Sequence, residues 1–147
     1  MSTFYYSFQK ILDLKKKNRE QTEYMYAELV HNLKLEEEKS SILNKNKNEI
    51  YEIIHSQQLV GTSIIELCQY ESYLMFIEQQ MLIYQKNIYR INNLIKEKHK
   101  ELVEIKIEER KWSNLREKKY RDYIIECNKL EQKELDEIAS RGIQRGV

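Results

Sequence analysis

From Leu67 onward, apolar residues return every seven positions. One set is Leu67, Leu74, Met81, Ile88, Ile95 and Leu102, and its companion is Tyr70, Ile77, Tyr84, Ile91, Lys98 and Ile105. Lys98 is the one charged member, so the stripe predicts a coiled-coil seam on a long helix. Before it, Phe8, Ile11, Met25, Leu29, Leu33, Leu43, Ile50 and Ile54 recur at spacings built from three and four, with skips that suggest stutters. Between the two patterns lies QLVGT (58–62), followed by Ser63 and, three residues on, Glu66. That pair has the spacing of a capping box, in which the Ser oxygen takes a free N–H of the first turn, so a second helix is predicted to start there.

The expected fold class is all-α: a long two-helix antiparallel coiled-coil hairpin with unequal arms. Its boundaries are helix one at about 4–57, a hinge at about 58–62, helix two at about 63–141 and a flexible tail at 142–147, forming a single helical-hairpin domain 1–147. A short connection favours antiparallel neighbours. Folding at about residue 60 brings Phe8 near Trp112, Met25 near Ile95, and Ile50 near Tyr70. At 1.5 Å per residue the arms would span roughly 80 and 115 Å. Helix two beyond about residue 117 would then overhang helix one. Its stripe of Tyr120, Tyr123, Ile124, Cys127, Leu130, Leu135 and Ile138 would have no partner in the chain, and would either fray or bind something else.

Composition supports this reading. The 147 residues include no Pro and three Gly, and 33% are charged at a net charge of +1. Turn formers for a compact globule are missing, and no apolar run is long enough for a membrane span. MSTFYYSFQK lacks the order of a signal peptide, and Cys68 and Cys127 form no CxxC or dense framework, so the expected compartment is cytoplasmic. Both cysteines read as buried or half-buried small apolar residues, too far apart along one helix for a disulfide.

Candidate chemistry is thin. His31, His55 and His99 lack a second ligand at metal spacing, no glycine-rich loop can cradle phosphate, and a structure two helices thick has no dry cavity for catalysis. No enzyme activity, metal or cofactor is expected. Three features point to binding instead. In YLMFIEQQMLIY (73–84) nine of twelve residues are apolar or aromatic, whereas the opposing EEEKSSILNKNK (36–47) offers Ile42 and Leu43, so some apolar residues should face outward. Lys10, Lys15, Lys16, Lys17 and Arg19 lie near Arg110, Lys111, Arg116, Lys118, Lys119 and Arg121, a basic collar that reads equally as a solvated helix flank and comes with no nucleic-acid motif. The third feature is the overhang.

FYYSFQKILDLKKK (4–17), GTSIIELCQYESYL (61–74) and NKLEQKELDEIASR (128–141) resemble, in order and over essentially the whole chain, the flagellar export protein family called FliJ. The resemblance implies a non-enzymatic stalk similar to the gamma-subunit coiled coil of rotary ATPases. The open end would enter a hexameric flagellar export ATPase, the end nearer the hinge would meet the cytoplasmic domain of the membrane export gate, and export chaperones would be handled as well. It further implies a cytoplasmic protein peripherally associated with the inner face of the cell membrane at the flagellar base, monomeric when free, without nucleic acid or direct membrane insertion. ATPase binding would fall to Tyr120, Tyr123, Ile124, Cys127, Leu130, Gln132, Lys133, Leu135, Asp136, Ile138 and Arg141. By position, gate binding would fall to Leu43, Ile50, Tyr73, Ile77 and Tyr84, with Lys39 and Asn46 at two further gate positions, Asn46 where the family can carry an aromatic. The equivalent stalk of an injectisome and a self-assembling structural coiled coil are the alternatives.

Overall fold

A computed structural model describes residues 3–145. The described residues form two helices and no strand: α1 is Gln9–Val60 and α2 is Ile64–Arg145. They pack against each other in two compact units, one of Thr22–Leu102 and the other of Met1–Gln21 with Val103–Val147.

The break between the helices is held by its own polar groups. Gly61 takes a φ of 98°, and its N–H donates to the Gln57 carbonyl at 2.8 Å, closing α1 in a left-handed cap. Ser63 Oγ accepts the Glu66 N–H at 3.2 Å, which is the N-cap half of the expected box. The Glu66 carboxylate meanwhile accepts the Thr62 hydroxyl at 2.8 Å. Around Gly61 a Cβ would meet nothing within 4 Å, so an Ala there is strained by backbone alone. Gly61→Ala is expected to cost about 1–2 kcal/mol, read from urea unfolding of the full chain.

Within Thr22–Leu102 the helices run antiparallel. Lys98 Nζ lies 3.9 Å from the Met25 sulfur, Lys47 pairs with Glu78 at 3.5 Å, and Gln57 Nε2 donates to the Tyr70 hydroxyl at 3.3 Å. This register lies a few positions beyond that of a fold at residue 60. Ile50, Leu74 and Ile77 form the core, flanked by Leu43, Ile54, Tyr70 and Met81. All twelve heptad positions predicted on α2, the last of them Ile105 in the other unit, are buried or half-buried.

The seam of α1 differs from its prediction. In this unit Thr22, Tyr26, Leu29, Leu33, Glu36, Ser40, Leu43, Lys47, Ile50, Ile54 and Gln57 are buried or half-buried, at alternating spacings of four and three. The repeat is therefore uniform, without stutters. The skips arose because Thr22, Glu36, Ser40, Lys47 and Gln57 occupy seam positions, where Lys and Glu can lay their methylenes on apolar neighbours. Met25, a core position by its spacing, is 50% exposed and flanks the seam.

In the other unit the chain before α1 does the covering. Residues 3–6 are non-helical, so α1 starts several residues later than expected. Tyr6 is 4% exposed and Leu12 1%. The Tyr6 hydroxyl donates to the Trp112 carbonyl at 3.1 Å, Phe8 meets the Trp112 ring at 5.4 Å, and Arg19 pairs with Glu109. Trp112 is the chain's single tryptophan. Its fluorescence should thus report a Tyr6→Phe destabilisation of about 0.5–1.5 kcal/mol, the worth of one ordinary hydrogen bond. At the other end of the unit, α2 continues through the exposed Gly142 to Arg145. One exposed Gly costs only about 1 kcal/mol relative to Ala and does not by itself stop a helix. The expected tail 142–147 is thus helical to 145, and residues 146 and 147 lie outside the described residues.

Candidate functional site

The residues assigned to the overhang separate into two groups. Phe4 sits against Tyr120 and Tyr123, with ring centroids at 5.2 and 5.5 Å, and the Arg116 guanidinium lies over the Phe4 ring at 5.6 Å. Arg116 Nε also donates to Gln9 Oε1 at 2.9 Å. Tyr120 and Tyr123 are therefore not uncovered, as arm-length arithmetic expects; the extended N-terminal segment reaches them. Tyr123 and Cys127 are half-buried. Beyond Cys127 every described side chain is exposed, with Leu130 and Leu135 at 60% and Ile138 at 65%. The stripe without intramolecular cover thus starts with the exposed edges of Ile124 and Ile125 and runs through Ile138 to Ile143. On its polar side Gln132 Nε2 donates to Asp136 Oδ1 at 3.1 Å, one turn on, while Lys133 and Arg141 are exposed.

The basic collar is partly used internally. Arg19 faces Glu109, Lys111 is 3.4 Å from Glu108, and Lys15 is half-buried at a seam position. The outward remainder, including Lys16, Lys17, Lys118, Lys119 and Arg121, is exposed.

In the unit Thr22–Leu102, the residues assigned to gate binding also divide. Ile77 is fully buried and Ile50 is 8% exposed, both in the core. Leu43 and Tyr84 are half-buried, as is Asn46, while Tyr73 and Lys39 are exposed. Tyr73 stacks beside Phe76 at 6.4 Å, and Met75, Phe76, Leu82 and Ile83 are each more than half exposed. These are the outward residues that the poor match with 36–47 predicts. Opposite them Ile42 is itself 60% exposed, and Leu43 turns inward.

Neither cysteine is in a disulfide. Cys68 is exposed, contrary to its expected burial, because it falls one position outside the seam residue Leu67. Among the described residues no group of three or more His, Cys, Asp and Glu could hold a metal, and no helix is long and apolar enough to cross a membrane.

Two features escaped the sequence reading: the N-terminal aromatic cover and the polar seam of α1. The alternation of Phe4, Tyr6 and Phe8 was the available signal for the first, since a period of two marks an extended segment with one covered face.

Among known proteins, the chain matches the model of the flagellar FliJ protein family over residues 4–147. It is 28% identical over 137 residues to the flagellar FliJ protein of Bacillus subtilis (strain 168), covering 92% of each chain. No solved structure matches. With a family match that takes in both helices, the hinge and the exposed C-terminal stripe, the chain belongs to the flagellar FliJ protein family.

Proposed function

We propose that this component of flagellar protein export is a non-enzymatic stalk that couples the hexameric export ATPase to the cytoplasmic domain of the export gate. The observation that carries the reading is the stripe Ile124, Leu130, Leu135 and Ile138. It is apolar, exposed, and borne on the same unbroken helix that carries Trp112. A helix of this kind is a ready insert for an apolar-lined channel, because its charged faces keep it soluble before docking. The ATPase contact is assigned to Ile124, Cys127, Leu130, Gln132, Lys133, Leu135, Asp136, Ile138 and Arg141, with Tyr120 and Tyr123 at its base.

Gate binding is assigned to the side chains that a partner can reach, Tyr73 foremost with the edges of Leu43 and Tyr84, while Ile50 and Ile77 hold them in place from the core. Handling of export chaperones, a cytoplasmic location at the inner face of the membrane and a monomeric free state complete the proposal. The primary test is co-purification with the cognate hexameric ATPase and stimulation of its ATP hydrolysis. A chain that neither co-purifies nor stimulates refutes the stalk.

For the gate contact, Tyr73→Ala with Tyr84→Ala should weaken binding to the purified gate domain by about tenfold or more, the scale of an aromatic hot spot. ATPase stimulation should stay unchanged; equal loss of both would instead indicate misfolding. The exposed Phe76, Leu82 and Ile83 give a self-assembling coiled coil its one specific support. Sedimentation at micromolar concentration separates the readings, since a stable dimer or tetramer favours self-assembly and a monomer favours the stalk.

A further inference from the structure

The exposed C-terminal stripe has a continuation toward the folded end of its helix, and the chain covers that continuation with its own residue. Ile138 lies about five helical turns beyond Tyr120, and Leu130 about two turns beyond Tyr123, so the four share one side of α2. At the root of that side Phe4 packs on both tyrosines, at 5.2 and 5.5 Å, and the two tyrosine rings are 6.4 Å apart. A partner groove that follows the stripe inward from Ile138 therefore meets Phe4 over Tyr120 and Tyr123.

The segment that carries Phe4 is held unequally along its length. Tyr6 is 4% exposed, its hydroxyl donates to the Trp112 carbonyl, and its own carbonyl accepts the Gln9 N–H at 3.1 Å. Phe4 is only half-buried, and the Arg116 guanidinium over its ring belongs to an exposed side chain. Tyr120 beneath it keeps 45% of its surface in water, and Tyr5 between the two anchors is 83% exposed. Ring pairs and a solvated cation–π contact are individually weak. They seat Phe4 in the free chain, yet they yield to a partner that offers the same rings a larger apolar surface.

We propose that Phe4 is an intramolecular cover of the ATPase-docking face. It occupies Tyr120 and Tyr123 in the free chain and is displaced when the hexameric ATPase docks, while Tyr6 stays in place as the pivot. This step rests on the ATPase reading of the stripe. A cover of this kind lowers the apparent affinity in proportion to the fraction of chains that are open. The sign of a truncation is therefore diagnostic: removing a contact weakens binding, whereas removing a cover strengthens it.

The experiment measures binding of the full chain to the purified cognate hexameric ATPase by calorimetry. Phe4→Ala should bind about three- to tenfold more tightly, the closed-to-open ratio that two ring pairs and one exposed cation–π contact sustain. Tyr5→Ala should stay within about twofold of the wild type, as for an exposed substitution. Unchanged circular dichroism keeps the comparison one of docking. A second readout follows the ring itself, with 4-fluorophenylalanine at Phe4, Phe8 and Phe76. The Phe4 resonance, assigned by its loss in Phe4→Leu, should move on saturation with the ATPase to the sharp position of an unfolded chain. If the wild type binds and Phe4→Ala binds equally or more weakly, the cover is overturned and the stalk stands. A Phe4 resonance that broadens with the complex at its seated position has the same consequence. Equal tightening by Tyr5→Ala also overturns the cover, because the effect is then not that of the Phe4 ring. A wild type that fails to bind the ATPase overturns both.

Discussion

Ile77→Ala is expected to lower the unfolding free energy by about 2–5 kcal/mol, the range for deleting a buried Ile or Leu side chain and leaving a cavity. Ile77 is 0% exposed and packs with Ile50 and Leu74 at the centre of the unit Thr22–Leu102. Leu43, Ile54, Tyr70 and Met81 flank this cluster, so removing the Ile77 side chain takes away contacts at its centre. Urea unfolding followed by far-ultraviolet circular dichroism measures the loss. Met75→Ala is the control: its side chain is 63% exposed, and a change within about 0.5 kcal/mol is expected. A loss of similar size in both variants would contradict the core assigned here. The same result bears on function. Ile77 belongs to the residues assigned to the gate by position, so weaker gate binding by Ile77→Ala would act through the core. Tyr73→Ala is the direct probe.

Removing residues 124–147 is expected to abolish stimulation of the export ATPase while leaving the unfolding midpoint of the remaining chain nearly unchanged. Those two outcomes separate because of where the burial lies. From residue 128 to 144 every side chain is exposed, and Cys127 is only half-buried. The deletion therefore removes exposed helix and little core. The aromatic contacts of Phe4 with Tyr120 and Tyr123 lie before the cut. Trp112 fluorescence and the urea midpoint check the fold, and the rate of ATP hydrolysis checks the function. Undiminished stimulation by the truncated chain would remove the C-terminal stripe from the proposed mechanism.

How legible these features were in the sequence depended on what occupied the seam. On α2 the seam is almost wholly apolar from Leu67 to Ile105, so its period of seven was readable and each position proved covered. On α1 the same geometry is written partly in polar residues. Glu36, Ser40 and Lys47 occupy seam positions, and a hydrophobic count passes over them. Lys47 among them faces Glu78, on the α2 segment that has apolar side chains to spare. The N-terminal cover was misread for a different reason. Phe4 and Tyr6 follow a period of two, which a search tuned to helical spacing assigns to the start of a helix. The proposed binding surfaces depend on one quantity that the sequence does not state, the exposure of each apolar residue.

The chain's connectivity also orders its folding. At the hinge, contacts close short loops: Gln57 and Tyr70 are 13 positions apart. At the aromatic cover the ends are far apart, with Tyr6 and Trp112 separated by 106 positions. Closing a longer loop costs more entropy, so the contact of Gln57 with Tyr70 is expected to form before that of Tyr6 with Trp112. Phe4, Tyr120 and Tyr123 belong to a different unit from Ile50 and Ile77, so lifting Phe4 to bare the aromatic base of the stripe is expected to leave that core intact.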